Sequence, residues 1–314
     1  EFYLPLLMGA RLELLPVGAE QDVQQVAAFV AQRAISLLHF VPSVLNAFLV
    51  AGGGPALATV GAHVVCSGEA LPTAVMLACL ATGDDVRLSN FYGPTEACID
   101  VTAWRGSRSA TSVPIGRPID NVRVYVVDRR AQNLVPIGVA GELLLAGVCL
   151  ARGYLGRPGL TADRFIPTPF GADDGGRMYR TGDLCRFTDT GVVEYLGRID
   201  DQIKLRGFRI ELGEIENVLG GQPGVSSCAV VVRQGRLGGQ QLVAYLAWVA
   251  EPGSLAEIKT DLARQVPEYA IPNSFVVLDA IPMTSNGKID RKNLPDPDDM
   301  EEDSQTVDDG ELSD

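Results

Sequence analysis

The sequence is short of the residues that build metal centres and disulfide frameworks, with six cysteines and two histidines in 314 residues. Cys66, Cys79, Cys98, Cys149, Cys185 and Cys228 form no CxxC pair, and His39 and His63 alone cannot complete a zinc site, so buried reduced thiols are expected. Reduced thiols make the cytoplasm the default location. A basic excess is missing too: 26 Lys and Arg stand against 39 Asp and Glu, for a net charge of −13. That balance argues against a nucleic-acid partner, because a phosphate backbone is held by clustered cations. Charge is absent altogether from residues 34–68, which raises the question of a membrane span. Pro42, Asn46 and the glycines at 52–54 interrupt the stretch, so no clean spanning helix of about 20 residues fits and a buried core segment is expected. No signal-peptide pattern is visible at the start.

What is present is a large apolar fraction, 46%, enough to bury a substantial core in two or more folding units. The acidity is concentrated at one end. Residues 294–314 carry ten Asp or Glu and no Lys or Arg, leaving 39 − 10 = 29 acidic against 26 basic residues elsewhere, so the body is nearly neutral. Helical spacing over 22–33, 42–51 and 73–81 alternates with short apolar runs at 36–41 and 63–66, the rhythm of a mostly parallel sheet covered by helices. From 113 to about 199 strands and Gly/Pro turns take over, including 122–127 and 142–145. After 200 a smaller unit is expected: helix 211–219, strands 227–232 and 242–249, helix 254–266 with Ser254 and Glu257 as a capping box, and strand 274–278. The expected organisation is a partial α/β subdomain at 1–112, a β-rich subdomain at 113–199, a mobile α+β subdomain at 200–293 and an acidic disordered linker at 294–314.

Four ordered segments carry the chemistry: 90–96 (NFYGPTE), 141–165 (GELLLAGVCLARGYLGRPGLTADRF) followed by 179–184 (YRTGDL), 197–216 (GRIDDQIKLRGFRIELGEIE) and 286–292 (NGKIDRK). Together they resemble the signature segments of adenylate-forming enzymes, and most closely the adenylation domains of nonribosomal peptide synthetases. The resemblance implies an α/β fold: the C-terminal part of the adenylate-forming large domain, a helix-covered sheet plus β-rich subdomain, followed by a small mobile α+β domain. The chain opens at Glu1 with no Met, and no Ser/Thr/Gly-rich phosphate loop precedes the first motif, so it reads as a portion of such a domain, expected to be inactive alone.

The implied reaction is ATP-dependent activation of an amino acid as its adenylate, then transfer to the phosphopantetheine thiol of a peptidyl carrier domain. Condensation and other synthetase domains are the neighbouring partners. By the same resemblance Lys288 meets the substrate carboxylate and α-phosphate, Glu96 helps hold Mg²⁺, and the Thr95 hydroxyl contacts phosphate. Asn90 and Tyr92 receive adenine, Asp183 and Arg198 the ribose, and Tyr195 lines the adenine side. Asp200 is the hinge, and the loop bearing Lys204 and Gly207 serves the thioester-forming orientation. The side-chain pocket falls to His39, Val65, Ser67, Phe91, Ile99 and Asp100. Its hydrogen-bonding members resemble a pocket for serine, although Phe91 is larger than the aliphatic residue expected there, and threonine or a diamino acid competes. An acyl- or aryl-CoA ligase of the same superfamily, or a non-catalytic fragment, is the alternative reading.

Overall fold

The computed structural model of the chain describes residues 3–129, 133–170, 176–200, 202–235, 240–249, 254–284 and 289–297. They fall into two compact units, Glu1–Asp200 and Asp201–Asp314.

The first unit begins with α1 (Tyr3–Leu7) and α2 (Val23–Arg33). Asp22 starts α2 by accepting the amides of Gln24 and Gln25, and Ala34 ends it in the left-handed conformation. Next come β1 (Leu37–Phe40), α3 (Pro42–Val50), α4 (Gly54–Val60), β2 (His63–Cys66), α5 (Thr73–Leu80) and β3 (Arg87–Tyr92). Proline opens both α3 and α4, where a missing N–H costs nothing. β1, β2 and β3 run parallel; β4 (Thr102–Arg105) and β5 (Arg117–Pro118) complete the five-stranded sheet in antiparallel sense. Helical residues such as Leu45, Phe48, Leu57 and Met76 pack onto Val64, Cys66 and Leu88 from one face of this sheet, forming a dry core.

β6 (Val122–Val127), β7 (Gly141–Gly147), β8 (Phe165–Pro167), β9 (Arg177–Phe187) and β10 (Val193–Arg198) build the second sheet, in the order β10-β9-β7-β6 with β8 paired to β9, and α6 (Pro158–Arg164) lies between β7 and β8 in the chain. One apolar cluster holds Tyr92, Ala97 and Val101 from the end of the first sheet against Leu143, Phe165 and Tyr179 of the second.

The second unit contains the hairpin β11 (Gln202–Leu205) and β12 (Phe208–Glu211), then α7 (Leu212–Gly220), β13 (Val225–Gln234), β14 (Gln240–Trp248), α8 (Leu255–Gln265) and β15 (Ser274–Val277). Arg206 (φ 53°) and Gly207 (φ 79°) both take left-handed conformations in the two-residue turn, the arrangement that matches the twist of a hairpin. Ser254 caps α8 by accepting the Glu257 amide at 3.3 Å. Strand order is β13-β14-β15, with α7 and α8 packed on one face.

Four local expectations are corrected. The charge-free stretch holds a second helix, α4, bent 99° from α3, and each buries one face in the core through residues such as Leu45, Phe48 and Leu57; among the described residues no single helix is long and apolar enough to cross a membrane. α6 interrupts the β-rich region. Leu294, placed at the head of a linker, is buried beside Tyr245, whose hydroxyl donates to the Pro295 carbonyl, while 298–314 lie outside the described residues. Of the six cysteines, Cys66, Cys79 and Cys185 are buried, Cys149 and Cys228 half-buried, and Cys98 exposed.

Candidate nucleotide and side-chain site

Register decides which side chains meet. β9 and β10 pair in antiparallel sense, and an extra residue on β10 between Tyr195 and Gly197 shifts the ladder so that Arg198 lands opposite Asp183. The Arg198 guanidinium donates to Asp183 Oδ1 at 2.9 Å and to the Thr181 carbonyl at 2.8 Å. It also grips Asp200 through two bonds, Nε to Oδ1 at 2.8 Å and Nη2 to Oδ2 at 2.6 Å. Gly182 makes room for this fork: a Cβ there would lie 2.9 Å from Arg198 Nη2 and 2.8 Å from Asp200 Oδ2. The other oxygen of Asp183 accepts the Tyr92 hydroxyl. Asp183 is 3% exposed, and each oxygen of this buried side chain has a donor, the guanidinium on one side and the phenol on the other.

Ionisation follows the same geometry. Burial, then the Asp183 charge, push the Tyr92 hydroxyl well above its usual value, so it remains a donor. Burial and Asp183 lift Tyr195 to about 12. Burial pulls Arg198 down, but Asp200 and Asp183 outweigh it and fix the guanidinium as a cation.

Beside this network, the Asn90 amide nitrogen donates to the Pro114 carbonyl at 2.9 Å, while its Oδ1 is buried with no hydrogen-bond partner. A buried acceptor without a donor suits a ligand that supplies one, such as the exocyclic amine of adenine. Glu96 is buried on the short 3-10 turn Thr95–Ala97 and accepts the Tyr154 hydroxyl at 2.7 Å; burial, then this bond, raise the Tyr154 pKa. Thr95 beside it is exposed. Among the described residues no group of three His, Cys, Asp or Glu could hold a metal by itself, so Glu96 is a single-carboxylate donor. That donor set fits Mg²⁺, which commonly takes one or two protein carboxylates and completes its shell with phosphate oxygens and water.

After Glu96 the chain doubles back. Cys98 (φ 62°) and Ile99 (φ 77°) are left-handed, the Asp100 amide donates to the Cys98 carbonyl at 3.0 Å, and Val101 donates to the Tyr92 carbonyl at 2.7 Å. A positive φ at a β-branched residue stores strain. The loop passes so close to Gly93 that a Cβ there would sit 2.2 Å from the Ile99 carbonyl oxygen, which explains the glycine of NFYGPTE.

On the first sheet, His39 pairs in register with Val65 and Val65 with Ser89, so His39, Val65, Ser67 and Phe91 share the face opposite the helices. His39 Nε2 and Ser67 Oγ are 2.7 Å apart. Ile99 is exposed, and Asp100 is half-buried on the doubled-back loop. Lys204 and Gly207 lie in the β11–β12 hairpin of the second unit; Lys288 lies outside the described residues. Thr181 and Tyr154 were not singled out from sequence. Both sit inside the quoted motifs, and the only available signal was a hydroxyl beside a carboxylate-bearing stretch.

The model of the AMP-binding enzyme family matches residues 1–155, and that of the AMP-binding enzyme C-terminal domain matches 214–288. Phosphinothricin tripeptide synthetase PhsB of Streptomyces viridochromogenes is 47% identical over 95% of the chain, which spans 25% of that protein. Tyrocidine synthase 3 of Brevibacillus parabrevis is 44% identical over 95% of the chain, which spans 4% of its length. Among solved structures, PA1221, an NRPS protein containing adenylation and PCP domains, superposes with a TM-score of 0.76 at 28% identity, covering 86% of this chain and 46% of that one. AB3403, a four-domain nonribosomal peptide synthetase bound to AMP and glycine, gives 0.59 at 37% identity, with 95% and 22% covered.

Proposed function

We propose, for a chain that belongs to the AMP-binding enzyme family and within it to the adenylation domains of nonribosomal peptide synthetases, that it supplies the nucleotide and side-chain sites of an amino-acid-activating ligase. The observation that carries this reading is the Tyr92–Asp183–Arg198 network beside the unpartnered Asn90 Oδ1. Asp183 would accept the ribose hydroxyls, Arg198 would hold Asp183 and the sugar, and Asn90 would read the adenine edge. Glu96, steadied by Tyr154, would help bind Mg²⁺, which when bound neutralises phosphate charge.

In the reaction, a substrate carboxylate oxygen attacks the α-phosphorus of ATP and pyrophosphate leaves with the broken phosphoanhydride bond. Lys288 meets the charge that develops there. A carrier-bound phosphopantetheine thiol then takes the acyl group and AMP departs, with Lys204 and Gly207 on the side of that second step and Asp200 at the hinge. Relatedness to peptide synthetases favours this over an acyl- or aryl-CoA ligase. The polar pair His39 and Ser67, with Asp100, makes serine the leading substrate.

The test is amino-acid-dependent exchange of pyrophosphate into ATP by the full-length protein. Exchange is expected with serine, and Lys288→Ala should lower it on the order of 10²–10³-fold while sparing acyl transfer from preformed adenylate. No exchange with any amino acid sinks the reading.

A further inference from the structure

Glu96 is held at two points by one short stretch of chain. Its main-chain carbonyl accepts the Ala151 amide at 2.8 Å, and its Oε1 accepts the Tyr154 hydroxyl at 2.7 Å. A glutamate side chain has several free torsions, so anchoring both the main chain and one carboxylate oxygen fixes the direction in which the carboxylate faces. Tyr154 is itself braced. Its amide donates to Thr161 Oγ1 at 3.0 Å, and that hydroxyl donates to the Arg157 carbonyl at 2.8 Å, so Thr161 ties α6 back to the residue that touches Glu96. Gly153 (φ 147°) permits the approach, because a Cβ there would lie 2.4 Å from Thr161 Cγ2. The Tyr154 ring packs edge-on against Phe165, with 5.7 Å between centroids and 66° between planes. Packing thus belongs to the ring, and the contact with Glu96 to the hydroxyl alone.

We propose that Tyr154 and Thr161 are positioning residues for Glu96 as a Mg²⁺ ligand, with Thr161 acting through Tyr154. This rests on the Mg²⁺ role proposed for Glu96 above. The stretch 151–161 contains no Asp or Glu and offers the ion no charged ligand of its own; its part is to aim the carboxylate of Glu96. Removing an outer hydrogen bond of this kind commonly costs on the order of 10- to 100-fold in metal affinity. A contact that served only to pack the loop would carry no metal dependence.

The experiment is calorimetry on the full-length protein: ATP binding with Mg²⁺ and with EDTA, and AMP binding without metal, for Glu96→Gln, Tyr154→Phe, Thr161→Val and Thr161→Ser. The factor by which Mg²⁺ tightens ATP equals the factor by which ATP tightens Mg²⁺, so this ratio reads the metal site without turnover. Tyr154→Phe is expected to cut the ratio on the order of ten-fold, with the Kd for AMP held within about two-fold. Raising Mg²⁺ should then restore pyrophosphate exchange in that variant. Thr161→Val should lower the ratio in the same direction by less, and Thr161→Ser, which keeps the hydroxyl, should leave it at the level of the unaltered protein. If Thr161→Val does not fold, Tyr154→Phe decides. Should Glu96→Gln lower the ratio while Tyr154→Phe leaves it intact, or weakens AMP to the same extent, the positioning role is overturned and the contact is packing. If Mg²⁺ tightens ATP equally in Glu96→Gln and the unaltered protein, the fault lies in the role of Glu96, and the positioning claim falls with it.

Discussion

At the scale of single residues, the central arginine does two jobs that a lysine cannot combine. Arg198 spends one nitrogen on Asp183 and the Thr181 carbonyl, and the other two on Asp200. A lysine keeps the charge but offers a point donor that cannot span both carboxylates. Arg198→Lys should therefore weaken AMP binding by roughly 10- to 150-fold, since the loss of one charge-assisted contact is worth ~1.5–3 kcal/mol. Titration calorimetry checks this, and an unchanged Kd would remove Arg198 from the nucleotide site. The motif residues themselves were legible in sequence, because NFYGPTE and YRTGDL carry their chemistry in local spelling. Their partners were not. That Tyr92 meets Asp183 and that Tyr154 meets Glu96 depends on pairings between segments 91 and 58 residues apart.

Elements were predicted well where a helical period was long and clean, as in α2 and α8, and poorly where turns set the outcome. α4 is seven residues, too short for periodicity to announce, and Pro55 with Gly61 defines it. The register shift on β10 has no sequence mark, yet it alone brings Arg198 to Asp183 instead of a position one residue away. The helix-covered sheet also carries a pH dependence. Burial lifts Cys66 of β2 and Cys79 of α5 from the ordinary 9.0 to about 12, with Cys79 adding to the shift at Cys66. The folded unit thus keeps protons that the unfolded chain releases. This contribution to stability is fully present below 9.0 and is lost as pH rises from there towards 12. The urea midpoint should fall between pH 8.5 and 11, to use rough working limits. Cys79→Ala should start lower, for its cavity, but fall less steeply; a slope unchanged by the substitution would show that the thiols do not matter to it.

For the whole molecule the proposed function turns on which amino acid is selected, and the polar side chains of the first sheet frame that question. His39 Nε2 and Ser67 Oγ lie 2.7 Å apart on the sheet face that also bears Val65 and Phe91, with Asp100 on the loop that folds back over Gly93. A serine hydroxyl can join that pair because it donates and accepts at once, whereas a methyl group must lie against polar atoms without serving them. We therefore expect the full-length protein to prefer serine to alanine in kcat/KM by well over the roughly 10- to 200-fold that a missing methylene explains, because a polar site rejects the guest that leaves its groups unpaired. His39→Leu or Asp100→Leu should penalise serine more than alanine and narrow the gap. Threonine and 2,3-diaminopropionate are the informative competitors. Phe91 fills space that a small aliphatic residue would leave open, so if threonine is accepted, Phe91→Leu should widen its use. Preference for an apolar or aromatic amino acid would end the serine assignment and leave the proposed adenylation chemistry standing, since the roles proposed for Asp183, Arg198 and Glu96 do not involve the substrate side chain.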